Sequence, residues 1–179
     1  MKKNIQKGFT LIELLIVIAI LGVLATVVLV AINPLQNLAK TRDAGRLNTV
    51  GQLGHALEAY ATTNSGIYVP SGSTTWMATL VTAGEINVAP GQITNSLSAY
   101  CTPVGSNQNG ICYTATTPAT GVGPVVVYSR LEALSNTGTA KCGVSTQWAY
   151  AVYSSADGQA GIVCTAASAV PVPGNQTFK

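Results

Sequence analysis

The first 32 residues constrain this chain more than the rest of it. Lys2, Lys3 and Lys7 precede Gly8, and the apolar run from Phe9 to Ile32 carries one charge, Glu13. A stretch of that length can cross a bilayer as a helix. Lysines ahead of it hold the N-terminus in the cytoplasm. A carboxylate inside such a span costs about 2.5–3.5 kcal/mol on insertion scales, which marks Glu13 as a functional residue. Glu13 as a catalytic acid is the poorer reading, since no second polar group accompanies it in the run. An ordinary secretory signal does not fit, because its apolar core is about 7–15 residues long and ends in a small-x-small site. A plain membrane anchor accounts for the lysines and the apolar run, but for neither Glu13 nor the Gly8-Phe9 junction.

Gly8-Phe9-Thr10-Leu11-Ile12-Glu13-Leu14, continuing through an unbroken apolar run to Gly22, resembles the leader and first helix of type IV prepilins. These are the subunits of type IV pili and of type II secretion pseudopili. The resemblance implies an α+β pilin fold. A long N-terminal helix, first membrane-spanning and then amphipathic, would pack on a C-terminal antiparallel sheet; Pro34, which removes a backbone donor and crowds the preceding turn, marks a kink near Asn33-Pro34 or a break there near the membrane surface. The resemblance implies that a prepilin peptidase cuts between Gly8 and Phe9 and N-methylates Phe9. It implies that Glu13 pairs in the filament with the terminal amine of a neighbouring subunit. A carboxylate in hydrocarbon strongly favours such a partner. The implied partners are further copies of the chain in a helical homopolymer, the peptidase, an inner-membrane assembly platform with its ATPase, and the membrane itself before assembly. The implied localisation is the cytoplasmic membrane for the precursor and the cell surface for the filament. No cofactor and no enzyme activity are implied. Pro34 departs from the family pattern, standing twelve residues after Gly22 where many pilins have eight.

The expected organisation is a leader over 1–8, a transmembrane and filament-core helix over 9–33, its amphipathic continuation over 34–62, and an extracellular β-rich domain over 63–179. In the second segment Leu47, Val50, Leu53, Leu57 and Tyr60 recur every three or four residues, one helical face. Lys40, Arg42, Asp43 and Arg46 stand at its membrane-proximal start. Asn64-Ser65-Gly66 stops the helix. A short helix is expected over 75–81, ending near Gly84, with Trp76, Leu80 and Val81 inward. Strands are expected over 97–101, 111–116, 125–130, 147–154 and 161–164, rich in Val, Tyr, Trp and Thr. Asp157-Gly158 reads as the turn of the last hairpin, and the tail from Ala166 as an irregular edge segment. One antiparallel sheet packed on the amphipathic helix is the simplest arrangement.

Three of the nine Lys and Arg lie within residues 1–8, which leaves six basic residues against six acidic ones. The mature chain is thus formally neutral, and bulk charge gives no support to a nucleic-acid partner. A DNA-uptake pilin therefore stands as an alternative without charge support. A type II secretion pseudopilin or a minor pilin is the closer one. Cys101, Cys112, Cys142 and Cys164 make an even number in an exported chain and read as disulfides. Of three possible pairings, Cys101–Cys112 and Cys142–Cys164 join near neighbours. Zinc is disfavoured, since there is no CxxC pair and the only histidine, His55, is distant. No metal site is expected. Asp157 alone is too little for calcium. His55 reads as structural, which leaves a membrane-anchored hydrolase as the least supported class. Gly121-Val-Gly123-Pro124 lacks the lysine and helix start of a phosphate loop. Most of Tyr60, Tyr68, Trp76, Tyr100, Tyr113, Tyr128, Trp148, Tyr150 and Tyr153 are expected in the core or on sheet faces.

Overall fold

A computed structural model describes residues 8–93, 101 and 106–179. It divides into two compact units, one ending at Asn37 and the other running from Leu38 to Lys179.

In the first unit, α1 spans Leu11–Ile32. Its 22 residues are about 33 Å long, close to the thickness of a bilayer's hydrocarbon core. None of them is buried in the chain. The helix ends at Asn33, whose φ of 46° is left-handed. Asparagine tolerates this conformation better than most residues. Pro34 disfavours a right-handed helical residue before it and, lacking an N–H, fits the first position of a helix. Asn33 therefore closes α1 and opens α2, which spans Pro34–Thr63. Its carbonyl accepts from the Gln36 and Asn37 amides at 3.1 and 3.3 Å.

The second unit holds the rest of α2, α3 (Trp76–Ala83), β1 (Ser106–Gln108), β2 (Ile111–Thr117), β3 (Val122–Arg130), α4 (Gly138–Lys141), β4 (Gln147–Ser154) and β5 (Gln159–Ala166). The strands form one antiparallel sheet in the order β1-β2-β3-β4-β5. Cys112, Tyr128, Val152 and Gly161 lie side by side across it, as do Tyr113, Val127, Tyr153 and Ala160. The second row faces the helices. There Val50, Leu53, Ala56 and Leu57 of α2 and Trp76, Met77 and Leu80 of α3 close over Tyr113, Val125, Val127, Ala151 and Tyr153. Gly54 permits this approach, because a Cβ there would fall 2.1 Å from the Tyr153 ring. Gly66, at φ 81°, stops α2 by sending its amide back to the Ala61 carbonyl at 2.8 Å.

The structure corrects several expectations. The sheet is apolar on both faces: Cys112, Val126, Tyr128, Tyr150, Val152 and Val163 form a second core, joined by Cys101, Trp148, Val170 and Phe178. The tail is accordingly more than an edge segment. Phe178 bridges Val163, and the Lys179 amide reaches the Ile162 carbonyl at 2.9 Å. In α3 the inward residues are Trp76, Met77 and Leu80, with Val81 only half-buried. The last hairpin turns through four residues, 155–158, rather than Asp157-Gly158 alone. β1 was not expected. Of the strand expected over 97–101, residues 97–100 lie outside the described residues, as does Tyr100.

Candidate functional site

The N-terminal junction is built by one local device. Thr10 is the N-cap of α1 and Glu13 its third helical residue, an S/T-x-x-E capping box. The Thr10 amide donates to Glu13 Oε2 at 2.8 Å and its hydroxyl to the same oxygen at 2.7 Å. The Glu13 amide donates back to Thr10 Oγ1 at 3.3 Å. The expectation that no polar group accompanies Glu13 therefore fails at Thr10. The spacing was visible in the sequence as a capping signal. The helix starts after Thr10, so Gly8 and Phe9 are non-helical. Phe9 is 81% exposed, and among the described residues nothing lies within 4 Å of a Cβ built on Gly8. The Glu13 carboxylate, held by its own chain, lies in a helix with no internal cover.

The second unit contains a site that sequence reasoning missed. Asp43 and Arg46 were placed among polar residues at the start of the amphipathic helix, but both are fully buried. Arg46 Nη1 lies 2.5 Å from Asp43 Oδ1, and Nη2 lies 3.2 Å from Glu132 Oε1. Arg42 Nε is also paired with Glu132 Oε1. Asp43 further accepts from the amides of Glu132 and Ala133 and from Asn136 Nδ2, at 2.9–3.2 Å. Two acids and two arginines thus fasten the segment after β3 to α2. Only the i, i+3 spacing of Asp43 and Arg46 hinted at this.

Disulfides join Cys101 to Cys112 and Cys142 to Cys164, with Cα separations of 5.4 and 5.6 Å. The first ties residue 101 to β2, and the second ties the end of α4 to β5. His55 is exposed, its ring edge-on to Tyr153 at 5.3 Å. Among the described residues no three His, Cys, Asp or Glu side chains cluster as metal ligands would. Asp157 Oδ2 accepts from the Gln176 amide at 2.8 Å and so holds the tail. Glu58 accepts from Tyr68 at 3.0 Å and from Tyr153 at 3.3 Å. Trp76, Tyr113, Tyr128, Tyr150 and Tyr153 are buried, while Tyr60, Tyr68 and Trp148 are half-buried. Burial raises the hydroxyl pKa of Tyr113 strongly and takes those of Tyr128 and Tyr153 to about 12, the latter helped by Glu58.

Residues 3–29 match the model of the prokaryotic N-terminal methylation motif. The chain is similar to the fimbrial protein EcpC of Eikenella corrodens, with 36% identity over 122 residues, which is 68% of this chain and 69% of that protein. It is also similar to the type IV major fimbrial protein FimA of Dichelobacter nodosus, with 46% identity over 57 residues. That match spans 31% of this chain and 35% of FimA. No solved structure matches.

Proposed function

The chain belongs to the type IV fimbrial proteins and is a structural subunit of a type IV pilus-like filament, and from that premise we propose how it is processed and assembled. The precursor is held in the cytoplasmic membrane by α1, with Lys2, Lys3 and Lys7 inside. A prepilin peptidase cleaves the exposed Gly8–Phe9 bond, discards residues 1–8 and N-methylates Phe9. An inner-membrane platform driven by an ATPase lifts the subunit out of the bilayer. Glu13 then exchanges its Thr10 partners for the terminal amine of a neighbouring Phe9. The filament is displayed at the cell surface. The role is structural, and no residue is assigned to catalysis.

One observation carries this reading: α1 is a 22-residue helix whose only polar side chains are Glu13, near its start, and Thr26, and none of its residues is buried within the chain. Such a helix needs cover, which lipid supplies first and other copies of α1 supply later. In an apolar filament core an uncompensated carboxylate is costly, so its pairing sets the register of one subunit on the next.

The test is intact mass and N-terminal sequencing of filaments sheared from cells. Chain beginning at N-methyl-Phe9 and about four hydrogens light for its two disulfides is the expected product. Glu13→Ala should still be exported and cleaved, but should yield no ordered filaments. Normal filaments from that variant would remove Glu13 from assembly. Processed chain confined to the membrane fraction would point instead to a pseudopilin or a minor pilin.

A further inference from the structure

One end of the sheet domain combines charge, aromatic surface and exposed aliphatic side chains. β3 finishes there at Arg130 and β4 begins at Gln147. Between them opens a cleft of about 550 Å³, lined in part by Arg130, Leu134, Thr137, Thr139, Gln147 and Trp148. The Arg130 guanidinium lies 3.8 Å from the centroid of the half-buried Trp148 ring. Leu134 is 65% exposed, and Val144 is 48% exposed. Glu132, also in the lining, is the residue that Arg42 and Arg46 hold.

The charges at this end do not cancel. Lys40, Arg42 and Arg46 of α2, Arg130 of β3 and Lys141 of α4 stand against Asp43 and Glu132. That leaves three positive charges. The other acidic residues of the domain are elsewhere: Glu58 meets Tyr68 and Tyr153, Glu85 follows α3, and Asp157 is in the hairpin at the opposite end of β4. A domain whose side chains carry a formal excess of one positive charge thus gathers an excess of three at this end. Tryptophan, arginine and exposed leucine together are the chemistry of a membrane interface. Arg42, at this end, follows Ile32 by ten positions, so the chain cannot carry it more than about 35 Å from the end of α1.

We propose that this end is a docking surface for the headgroups of anionic phospholipids, engaged while the subunit waits in the membrane. Arg130, stacked on Trp148, takes the lipid phosphate, and Leu134 enters the interface beside it. The contact rests on the membrane-held precursor proposed above. It gives the waiting subunit a fixed seat on the bilayer, which extraction must break.

The test uses the full-length precursor in vesicles of phosphatidylethanolamine and phosphatidylglycerol containing brominated phospholipid. The chain has two tryptophans, and Trp76 is fully buried, so quenching reports Trp148. Quenching should grow with the phosphatidylglycerol fraction and vanish in Trp148→Phe. Arg130→Gln should weaken docking about five-fold, the effect of one charge at an anionic surface. Leu134→Ser should also weaken it while leaving the charge intact. Vesicle flotation separates the two readings. If the chain floats and Trp148 stays unquenched, or is quenched equally in phosphatidylcholine, the headgroup site is wrong and the membrane-held precursor stands. If the chain does not float, both are overturned. Protection of Trp148 only in assembled filaments would assign this surface to a neighbouring subunit and would also overturn the proposal.

Discussion

Asp43 and Arg46, one turn apart on α2, are paired at 2.5 Å with neither side chain exposed to solvent. Charged residues are rarely buried so completely, and the burial of these two is offset by the partners each has. Asp43 is bonded to two backbone amides and Asn136 besides Arg46. It is therefore the point where the segment following β3 is fastened to the helix. Asp43→Ala should destabilise the domain by about 3–5 kcal/mol, because it strands a buried guanidinium and two amides. That is a large part of the stability of an ordinary domain. Thermal unfolding of the detergent-solubilised chain, followed by circular dichroism, measures it. A loss below about 1 kcal/mol would show that water or a rearranged Glu132 replaces Asp43.

Gly54 makes a second testable contact. Its absent Cβ would fall 2.1–2.5 Å from three atoms of the Tyr153 ring, and that ring is fixed by burial and by Glu58. Gly54→Ala should cost about 1–3 kcal/mol through overpacking, more than the gain of about 1 kcal/mol from helix propensity. Gly45, on the same helix, has nothing among the described residues within 4 Å of a built Cβ. Gly45→Ala should therefore raise the melting temperature, while Gly54→Ala lowers it. If both substitutions stabilise, α2 does not lie on Tyr153 as described.

The parts of the fold that were legible in the sequence are those whose signal is local. α1 announces itself by unbroken apolar length, and β4, whose bounds match the expected 147–154, by alternating Trp, Tyr and Val among small residues. Asn64-Ser65-Gly66 ends α2 because Ser65 and Gly66 take the left-handed conformation. What was hidden depends on partners far along the chain. Asp43 reads as a solvated helix residue until Glu132, 89 residues on, folds against it. The second apolar face escaped notice because its cover, Val170 and Phe178, lies in a tail with no strand pattern. β1, only Ser106–Gln108, is too short and polar to signal a strand. At the N-terminal junction the Gly8, Phe9 and Glu13 motif was plain. The partnership of Glu13 with Thr10 was equally visible there as a spacing of three, the capping-box signature.

Alkaline pH should destabilise the domain through its buried tyrosines. Tyr128 and Tyr153 titrate near 12 when folded, against an ordinary value near 10, and Tyr113 is raised further. Burial is the first cause at each. In the window from about 10 to 12 the unfolded chain loses these protons while the folded chain keeps them. The sign follows: the stabilisation is complete below pH 10 and falls as pH rises through the window. The urea midpoint should be flat from pH 8 to 9.5 and drop steeply above about 10. Tyr128→Phe should shrink the drop. Phenolate absorbance that appears before any loss of structure and that Tyr128→Phe or Tyr153→Phe removes would contradict the burial of these hydroxyls.

The two disulfides should differ in what their loss does. Cys101–Cys112 closes a sequence separation of 11 and Cys142–Cys164 one of 22. The chain-entropy estimate gives about 2.8 kcal/mol for the shorter loop and about 3.4 kcal/mol for the longer. The structural settings widen the gap. Cys142 is buried against the main core and holds α4 beside β5, whereas the first bridge secures residue 101 at the margin of the smaller second core. Cys142→Ser with Cys164→Ser should therefore lower the denaturation midpoint more than Cys101→Ser with Cys112→Ser. It should also loosen the segment carrying Leu134 and Lys141, since α4 loses its tie to β5. Hydrogen exchange reads this directly: amides of 138–149 should lose protection in the first pair of variants and keep it in the second. Equal protection in both would mean that packing on β4, rather than the disulfide, holds α4 in place.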